Sequence, residues 1–473
     1  MDTRSDDQQP GNGADGAPAS AFYGEDGYVS AAFLDRVNAA IEADDAVALR
    51  QAIAPLHEAE LGDLLEALDG ERRAALVRLA GDQFDLTALT EVDEAIRLEI
   101  IGALPPEKIA DAVKQLDSDD AVYILEDMEA DDQEAVLAAL PFEERLRLRR
   151  SLDYPEESAG RRMQTEFVAV PPFWTVGQTI DHLREDHNLP DRFHEIFVVS
   201  PRFDLVGSVA LDRLLRSARK TRIEEIMGEA SHSIPASMDQ EEAAMIFERY
   251  DLLSAAVVDD GGRLVGVLTI DDVVDVIAQE ADEDIKRLAG VGDEELSDSL
   301  LSVSRLRISW LMVNLVTAFL AASVIGLFDA TIEKIVALAV LMPIVAGMGG
   351  NAGSQTMTVT VRALATNDLD IYNAGRIIRR ELGIGLLNGV TFACLVGLVA
   401  GLWFQSAEIG GVIAAAMNIN MCAAALAGIL VPLLLKRYGA DPAVSSAVFV
   451  TTITDVVGFF SLLGIATWWF GLL

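Results

Sequence analysis

The sequence predicts a multidomain chain: an all-α helical N-terminal domain, an α/β domain pair, a connecting helix and a five-helix α transmembrane domain. Three observations carry this. Charge and apolarity are segregated, since the 473 residues hold 36 Lys and Arg against 75 Asp and Glu, a net charge of -39, yet 51% of them are hydrophobic. From Arg305 to Leu473 there are 9 basic and 8 acidic residues, so the acidic excess belongs to the first 304. A strand-turn-strand-Gly pattern recurs once in the middle of the chain, and five apolar stretches occupy its last third. Disordered acidic proteins lack such apolar content, and the acidic two thirds would repel nucleic acid and anionic lipid. Cations are the partners that such a surface attracts.

Residues 1–28, rich in Gly, Asp, Gln and Pro and nearly without large apolar side chains, are expected to form a disordered leader. Over 29–155 apolar residues recur at helical spacing, as in Leu61, Leu64, Leu65 and Leu68 or Ile109, Ala112, Val113 and Leu116. Leu104-Pro105-Pro106, Asp117-Ser118-Asp119-Asp120 and Leu140-Pro141 interrupt the pattern, which reads as a stack of short amphipathic helices.

After Tyr154 β-branched runs alternate with helices. Phe197-Val198-Val199 and Leu205-Val206-Gly207 recur 59 residues later as Ala256-Val257-Val258 and Leu264-Val265-Gly266. This resembles a tandem pair of CBS domains, over 156–220 and 221–283. CBS domains that hold adenine nucleotides often show G-x-x-T-x-x-D, and the second copy has Gly266, Thr269 and Asp272 at that spacing. The first copy, with Gly207, Ala210 and Arg213, breaks the pattern, so ATP is an expected ligand of the second copy alone. Residues 284–304 are expected to be a connecting, plug-like helix.

Crossing the hydrocarbon core takes about 20 apolar residues. Five stretches qualify: 308–328, 335–361, 382–404, 412–435 and 444–472. Eight basic residues precede the first span or lie between the second and third and between the fourth and fifth, whereas the opposite loops hold only Lys334. This asymmetry puts the N-terminus in the cytoplasm and Leu473 outside, in a multi-pass protein of the cell inner membrane. Cys394 and Cys422 lie in apolar runs and none of the five His lies in a span, so neither a disulfide framework nor a zinc or copper site is expected.

Within the spans one ionisable side chain sits well away from an end, Asp455. A carboxylate at that depth costs roughly 2.5 kcal/mol or more unless it faces a polar cavity or a bound cation. Thr451, Thr452 and Thr454 beside it can hydrogen-bond the water shell of an ion. The second span carries Pro343 and, close behind it, Gly347, Gly349, Gly350 and Gly353. Proline removes a backbone donor and glycines permit close approach, so this helix is expected to loosen around Gly350 and expose carbonyls, with Asn351 and Gln355 on one face. Tight packing through small residues is the competing reading. Mg2+ sheds water reluctantly and is often held by one or two carboxylates through retained waters. One Asp per chain with amides and hydroxyls meets that demand.

At this point the chain resembles the MgtE magnesium channels. The resemblance rests on the domain order, on Pro343 with Gly349-Gly350-Asn351-Ala352-Gly353-Ser354-Gln355, on the run from Arg362 to Asp370, and on Asp441-Pro442-Ala443 leading to Asp455. At Ala447 the chain departs from relatives that carry Asn. The resemblance implies a homodimer in membrane lipid, with two copies of Asp455 meeting hydrated Mg2+ on the dimer axis as it passes into the cytoplasm. It also implies regulatory Mg2+ at positions matching Glu241, Asp251, Asp272, Asp275, Glu280, Glu283 and Asp284, with Asp120 as their partner in the N-domain. High internal Mg2+ would then clamp the domains and the connecting helix over the pore. Like charges three or four residues apart, as at 272/275 and 280/283/284, destabilise a helix by a few tenths of a kcal/mol per pair, which a counter-cation relieves. A coupled carrier that imports or exports Co2+ or Mn2+ is the alternative. An intramembrane aspartyl protease is disfavoured, because that chemistry needs two carboxylates sharing a proton and the spans offer one; no enzyme activity is expected.

Overall fold

The computed structural model describes residues 22–186, 189–190, 192–229, 232–291, 300–366, 369, 371–442 and 446–472. The chain divides into two compact units, one ending at Val273 and the other beginning at Val274. In the first unit, nine short α-helices run between Ala31 and Leu152. Their breaks fall where the sequence interrupts the apolar period: Pro106 starts one helix, Asp117 precedes the next, and Pro141 separates the last two. Leu61, Leu64, Leu65, Leu68, Ile109 and Val113 are all buried, so the predicted stripes form the core. The structure extends further into the expected leader than the composition implies. Tyr23 bridges to Val29, Phe22 packs edge-on against Phe33 at 5.0 Å, and the Tyr23 hydroxyl donates to Asp63 at 2.7 Å. Two aromatic rings anchor this segment despite its Gly and Asp; residues 1–21 of the leader lie outside the described residues.

Two three-stranded sheets follow, β1 (Ala169–Val170), β2 (Glu195–Val199), β3 (Leu205–Ala210) and β4 (Ile234–Pro235), β5 (Ser254–Val258), β6 (Leu264–Thr269). Each leading strand is parallel to the middle one, which is antiparallel to the third. The repeat holds at the level of single pairs: Val198 faces Gly207 as Val257 faces Gly266, and Val199 faces Leu205 as Val258 faces Leu264. Even the turn conformation recurs, with Phe203 at φ 67° where the second copy has Gly262 at φ 75°. Only glycine adopts this left-handed region without steric cost, so the first copy carries local strain that the second avoids.

The copies exchange their leading segments. Gln164, upstream of β1, pairs with Val267 on β6, and Gly228, upstream of β4, pairs with Ser208 on β3. Phe197 and Val199 of one sheet share an apolar cluster with Ala256, Leu264 and Val267 of the other. The acidic helix α2 (Ile270–Ala289) leaves β6 directly; α1 denotes the N-domain helix Ser118–Glu126. The expected connecting helix over 284–304 is not one continuous element. Helix α2 stops at Ala289, followed by Gly290 at φ 73°, a left-handed residue that ends helices. Residues 292–299 lie outside the described residues.

The second unit contains five helices long and apolar enough to cross a membrane: α3 (Leu300–Gly326), α4 (Ala337–Ala365), α5 (Ile371–Trp403), α6 (Ala407–Arg437) and α7 (Ser446–Trp469). Each overlaps a predicted span, with bounds shifted because polar end residues continue the helices. A short helix, Asp329–Lys334, fills the loop between α3 and α4. Helix α6 packs against α4, α5 and α7, and α4 packs against α7, whereas α3 turns most of its surface outward.

The expectation that the Pro343 region loosens is not met. Helix α4 is unbroken across Pro343 and all four glycines. Small residues instead let helices approach: a Cβ on Gly353 would stand 2.5 Å from Val450 Cγ1, and one on Gly428 would stand 2.7 Å from the Gly353 carbonyl oxygen. The packing reading holds for Gly349 and Gly353, whereas a Cβ on Gly347 would meet nothing within 4 Å and one on Gly350 only Thr454 Oγ1 at 3.9 Å.

Candidate cation sites

Asp455 lies in mid-helix on α7, half-buried, and no other charged side chain among the described residues neighbours it. Its threonine neighbours satisfy their donors inside their own helix. Thr451 Oγ1 donates to the Ala447 carbonyl at 2.8 Å, Thr452 Oγ1 to Val448 at 2.6 Å, and Thr454 Oγ1 to Thr451 at 2.9 Å. A hydroxyl that donates inward retains only acceptor capacity, which suits a hydrated cation and not an anion. Thr451 and Thr452 are partly exposed, but Thr454 is fully buried, set between α7 and the small residues of α4. Thr454 is thus a packing residue in this chain and not part of an open wall. On α4, Asn351 and Gln355 both face outward and Gly350 is half-exposed.

The sequence reading passed over two polar residues because it looked for charge. Asn418 and Asn420 sit in mid-span on α6. Asn418 accepts from Cys422 Sγ at 3.7 Å and abuts Gly389 on α5. Asn420 is fully buried where α4, α6 and α7 meet. The only sequence signal for either was an amide inside an apolar run.

A second constellation forms on α2 within the first unit. Asp272 stands beside Asp119 and Asp120 of α1. Helix α1 is held there by its own N-terminus: Ser118 N donates to Glu166 at 3.3 Å, and Thr165 N donates to Ser118 Oγ at 2.7 Å. Arg162 adds ties to Glu126 and Gln240, both at 3.1 Å. Burial, then Asp272 and Asp120, push the Asp119 carboxyl well above the usual carboxylate range. Burial first and Asp272 second push Asp120 up to about 7. Asp119 Oδ1 is buried with no hydrogen-bond partner. Three crowded carboxyls with an unsatisfied oxygen fit either a shared proton or a hard divalent cation. Helical spacing singles out Asp272 and the family resemblance implies Asp120, but neither points to Asp119, whose burial depends on a segment far along the chain.

Asp272 also accepts from Thr269 Oγ1 at 2.5 Å, which ties its carboxylate to the end of β6. Gly266 does not open onto a ligand cradle. The crossing segment fills its space, since a Cβ there would meet Met163 Sδ at 2.5 Å and the Gln164 carbonyl oxygen at 2.7 Å. Asp251 ends the helix Gln240–Tyr250 in the left-handed region at φ 52° with its side chain exposed, Glu241 is partly exposed near the start of that helix, and Asp275 is exposed.

In the second unit, Glu283, Asp284 and Arg287 of α2 meet Asp441 of the α6–α7 loop. Arg287 pairs with Glu283 and, at 2.5 Å, with Asp441 Oδ2. Burial and then Asp441 raise the Asp284 carboxyl above its ordinary value. Glu280 is partly exposed one turn earlier. Among the described residues no three His, Cys, Asp or Glu side chains are arranged to hold a metal directly.

A bundle of membrane-length helices with a lone half-buried carboxylate, attached to an acidic appendage of carboxylate clusters, defines a membrane transporter of divalent cations. The family model described as a divalent cation transporter, MgtE, matches residues 342–465, that of the MgtE intracellular N domain matches 56–157, and a CBS domain model matches 223–279. The chain is 32% identical over 446 residues to the magnesium transporter MgtE of Thermus thermophilus, covering 90% of this chain and 96% of that one. It is 29% identical to the Bacillus subtilis magnesium transporter MgtE, covering 80% and 84%, and 34% identical to that of Enterococcus faecalis, covering 69% and 72%. A solved cytosolic domain of the Mg2+ channel MgtE in complex with ATP is 28% identical, with a TM-score of 0.48 over 51% of this chain and 99% of that one. The chain belongs to the MgtE family of magnesium transporters. It is a multi-pass membrane protein of that family.

Proposed function

We propose that this transporter is a Mg2+-selective channel that admits Mg2+ to the cytoplasm and is closed by Mg2+ bound to its acidic cytoplasmic domains. The observation that carries the reading is Asp455: one carboxylate in mid-membrane, half-exposed, with no charged partner among the described residues. Such a group needs a cation or water to be tolerated. Asn351 and Gln355 point outward from α4 in the single chain. Carboxamides facing lipid are costly, so this face is covered by water and by a second copy, in a homodimer that sets two Asp455 side chains across one path. Eight of the nine basic residues of the membrane domain fall on one side, which puts the N-terminus in the cytoplasm and Leu473 outside.

Gating follows from the carboxyl clusters. Asp119, Asp120 and Asp272 crowd across the junction of N-domain and second CBS copy, and Glu283, Asp284 and Asp441 crowd beside the membrane. Mg2+ neutralises each cluster and holds its parts together; without it, repulsion parts them. Glu241, Asp251, Asp275 and Glu280 supply further acidic donors in this reading. The division into leader, N-domain, two CBS copies, connecting segment and membrane domain belongs to the same proposal. ATP at the second CBS copy rests on Thr269 and Asp272, and there it would compete with Asp119 for the same carboxylate.

The test is Mg2+ flux into vesicles that contain the full chain. Asp455→Ala is expected to abolish uptake with the dimer intact, whereas normal flux would refute the reading. Flux of Mg2+ that requires an opposing proton or sodium gradient would favour a coupled carrier instead.

A further inference from the structure

Among the described residues, Asn420 is the one polar side chain buried completely at the meeting of α4, α6 and α7 and left half satisfied. Its Nδ2 donates to the Val345 carbonyl of α4 at 2.8 Å, while Oδ1 is buried with no partner. The carboxamide occupies the space that a side chain on Gly349 would need. A Cβ on Gly458 of α7 would stand 2.9 Å from the same Nδ2. Gly458 is three residues from Asp455, and Gly349 is two from Asn351. The amide thus touches both helices that carry the candidate permeation groups, from the side opposite their exposed faces.

A lone unsatisfied amide oxygen inside a membrane domain costs on the order of 1 to 3 kcal/mol. An apolar residue of the same shape avoids that cost, so stability gives no reason for Asn at this position. We propose that Asn420 is a positioning residue for Mg2+ transport: it sets the spacing of α4 against α7, and with it the alignment of Asn351 and Gln355 with Asp455. The Val345 carbonyl already lies within a continuous helix, so the Asn420 bond adds a fixed direction between α4 and α6 and not merely a partner for an orphan acceptor. This rests on the permeation route proposed above.

The experiment compares Asn420→Leu and Asn420→Asp with the unaltered full chain in vesicles, reading half-saturation for Mg2+, the Mg2+ over Co2+ preference, and thermal stability. N420L removes the donor and the orphan oxygen together. It is expected to keep or raise the melting temperature while lowering the Mg2+ preference or raising half-saturation by about tenfold, the size of one misplaced hydrogen bond. N420D, as the neutral acid, keeps the donor to Val345 and is expected to retain the parent's preference. Unchanged transport in N420L would overturn the proposal. So would a loss of stability that accompanies the transport defect in both variants, because Asn420 would then be a structural strut. Asp455→Ala is measured alongside: if it conducts normally the route fails, and if it is dead while N420L transports like the parent, only the role of Asn420 fails.

Discussion

Replacing Asp272 by Asn tests the clamp at its most crowded point. Asp120 rises from 3.8 to about 7, which is roughly 3 pH units, or about 4 kcal/mol held against its anion. Burial is the first cause and Asp272 the second, so removing the Asp272 charge should return on the order of 1 to 2 kcal/mol to the docked arrangement of α1 when no cation is present. That corresponds to a factor of roughly 5 to 30 in the docked population. Hydrogen exchange of the α1 amides, followed in the full chain at pH 8, reads this population. In the parent, exchange should be fast without Mg2+ and slow with it; in Asp272→Asn it should be slower without Mg2+ and nearly indifferent to the ion. Inhibition of flux by internal Mg2+ should weaken in parallel. Parent-like Mg2+-dependent protection in this variant would show that the Asp119, Asp120 and Asp272 group does not sense the ion.

Two further outcomes follow from the geometry. The native value of Asp120 lies above its unfolded one, so its contribution to docking is complete below about pH 4 and is lost as pH rises through about 7; melting temperature measured in chelator should fall across that window, and the gain from added Mg2+ should grow, whereas a gain independent of pH would count against Asp120. A methyl group at Gly353 would press on Val450, so Gly353→Ala should cost about 1 to 3 kcal/mol by overpacking, seen as a lower melting temperature in detergent and reduced flux; an unchanged melting curve would mean that α4 and α7 do not pack as described.

The layout of this molecule was readable to the extent that it is written in short-range patterns. Membrane spans, the breaks at Pro106 and Pro141 and the paired strand repeats depend on neighbours within a turn or a hairpin, and they emerge from the residues alone. Asp455 was readable too, because one charge in an apolar run has few innocent explanations. Asp119 was not, because its burial comes from the docking of α1 on the segment around Gln164 and Thr165. Asn420 was missed for a different reason: an uncharged amide barely lowers the apolarity of α6, and its burial shows only where Gly349 and Gly458 converge on it. The glycines of α4 misled in the opposite direction, since proline and glycine signal a loosened helix locally, while packing against α6 and α7 keeps α4 whole.

The exchange of leading segments between the two CBS copies has a mechanical meaning. Each sheet edge carries a main-chain pair to the leading segment of its twin, Gln164 with Val267 and Gly228 with Ser208, so parting the copies breaks backbone bonds at both edges. The copies are held together both by these main-chain bonds and by the apolar cluster of Phe197, Val199, Ala256, Leu264 and Val267. A swing of one copy against the other would therefore strain backbone pairs and apolar packing at once.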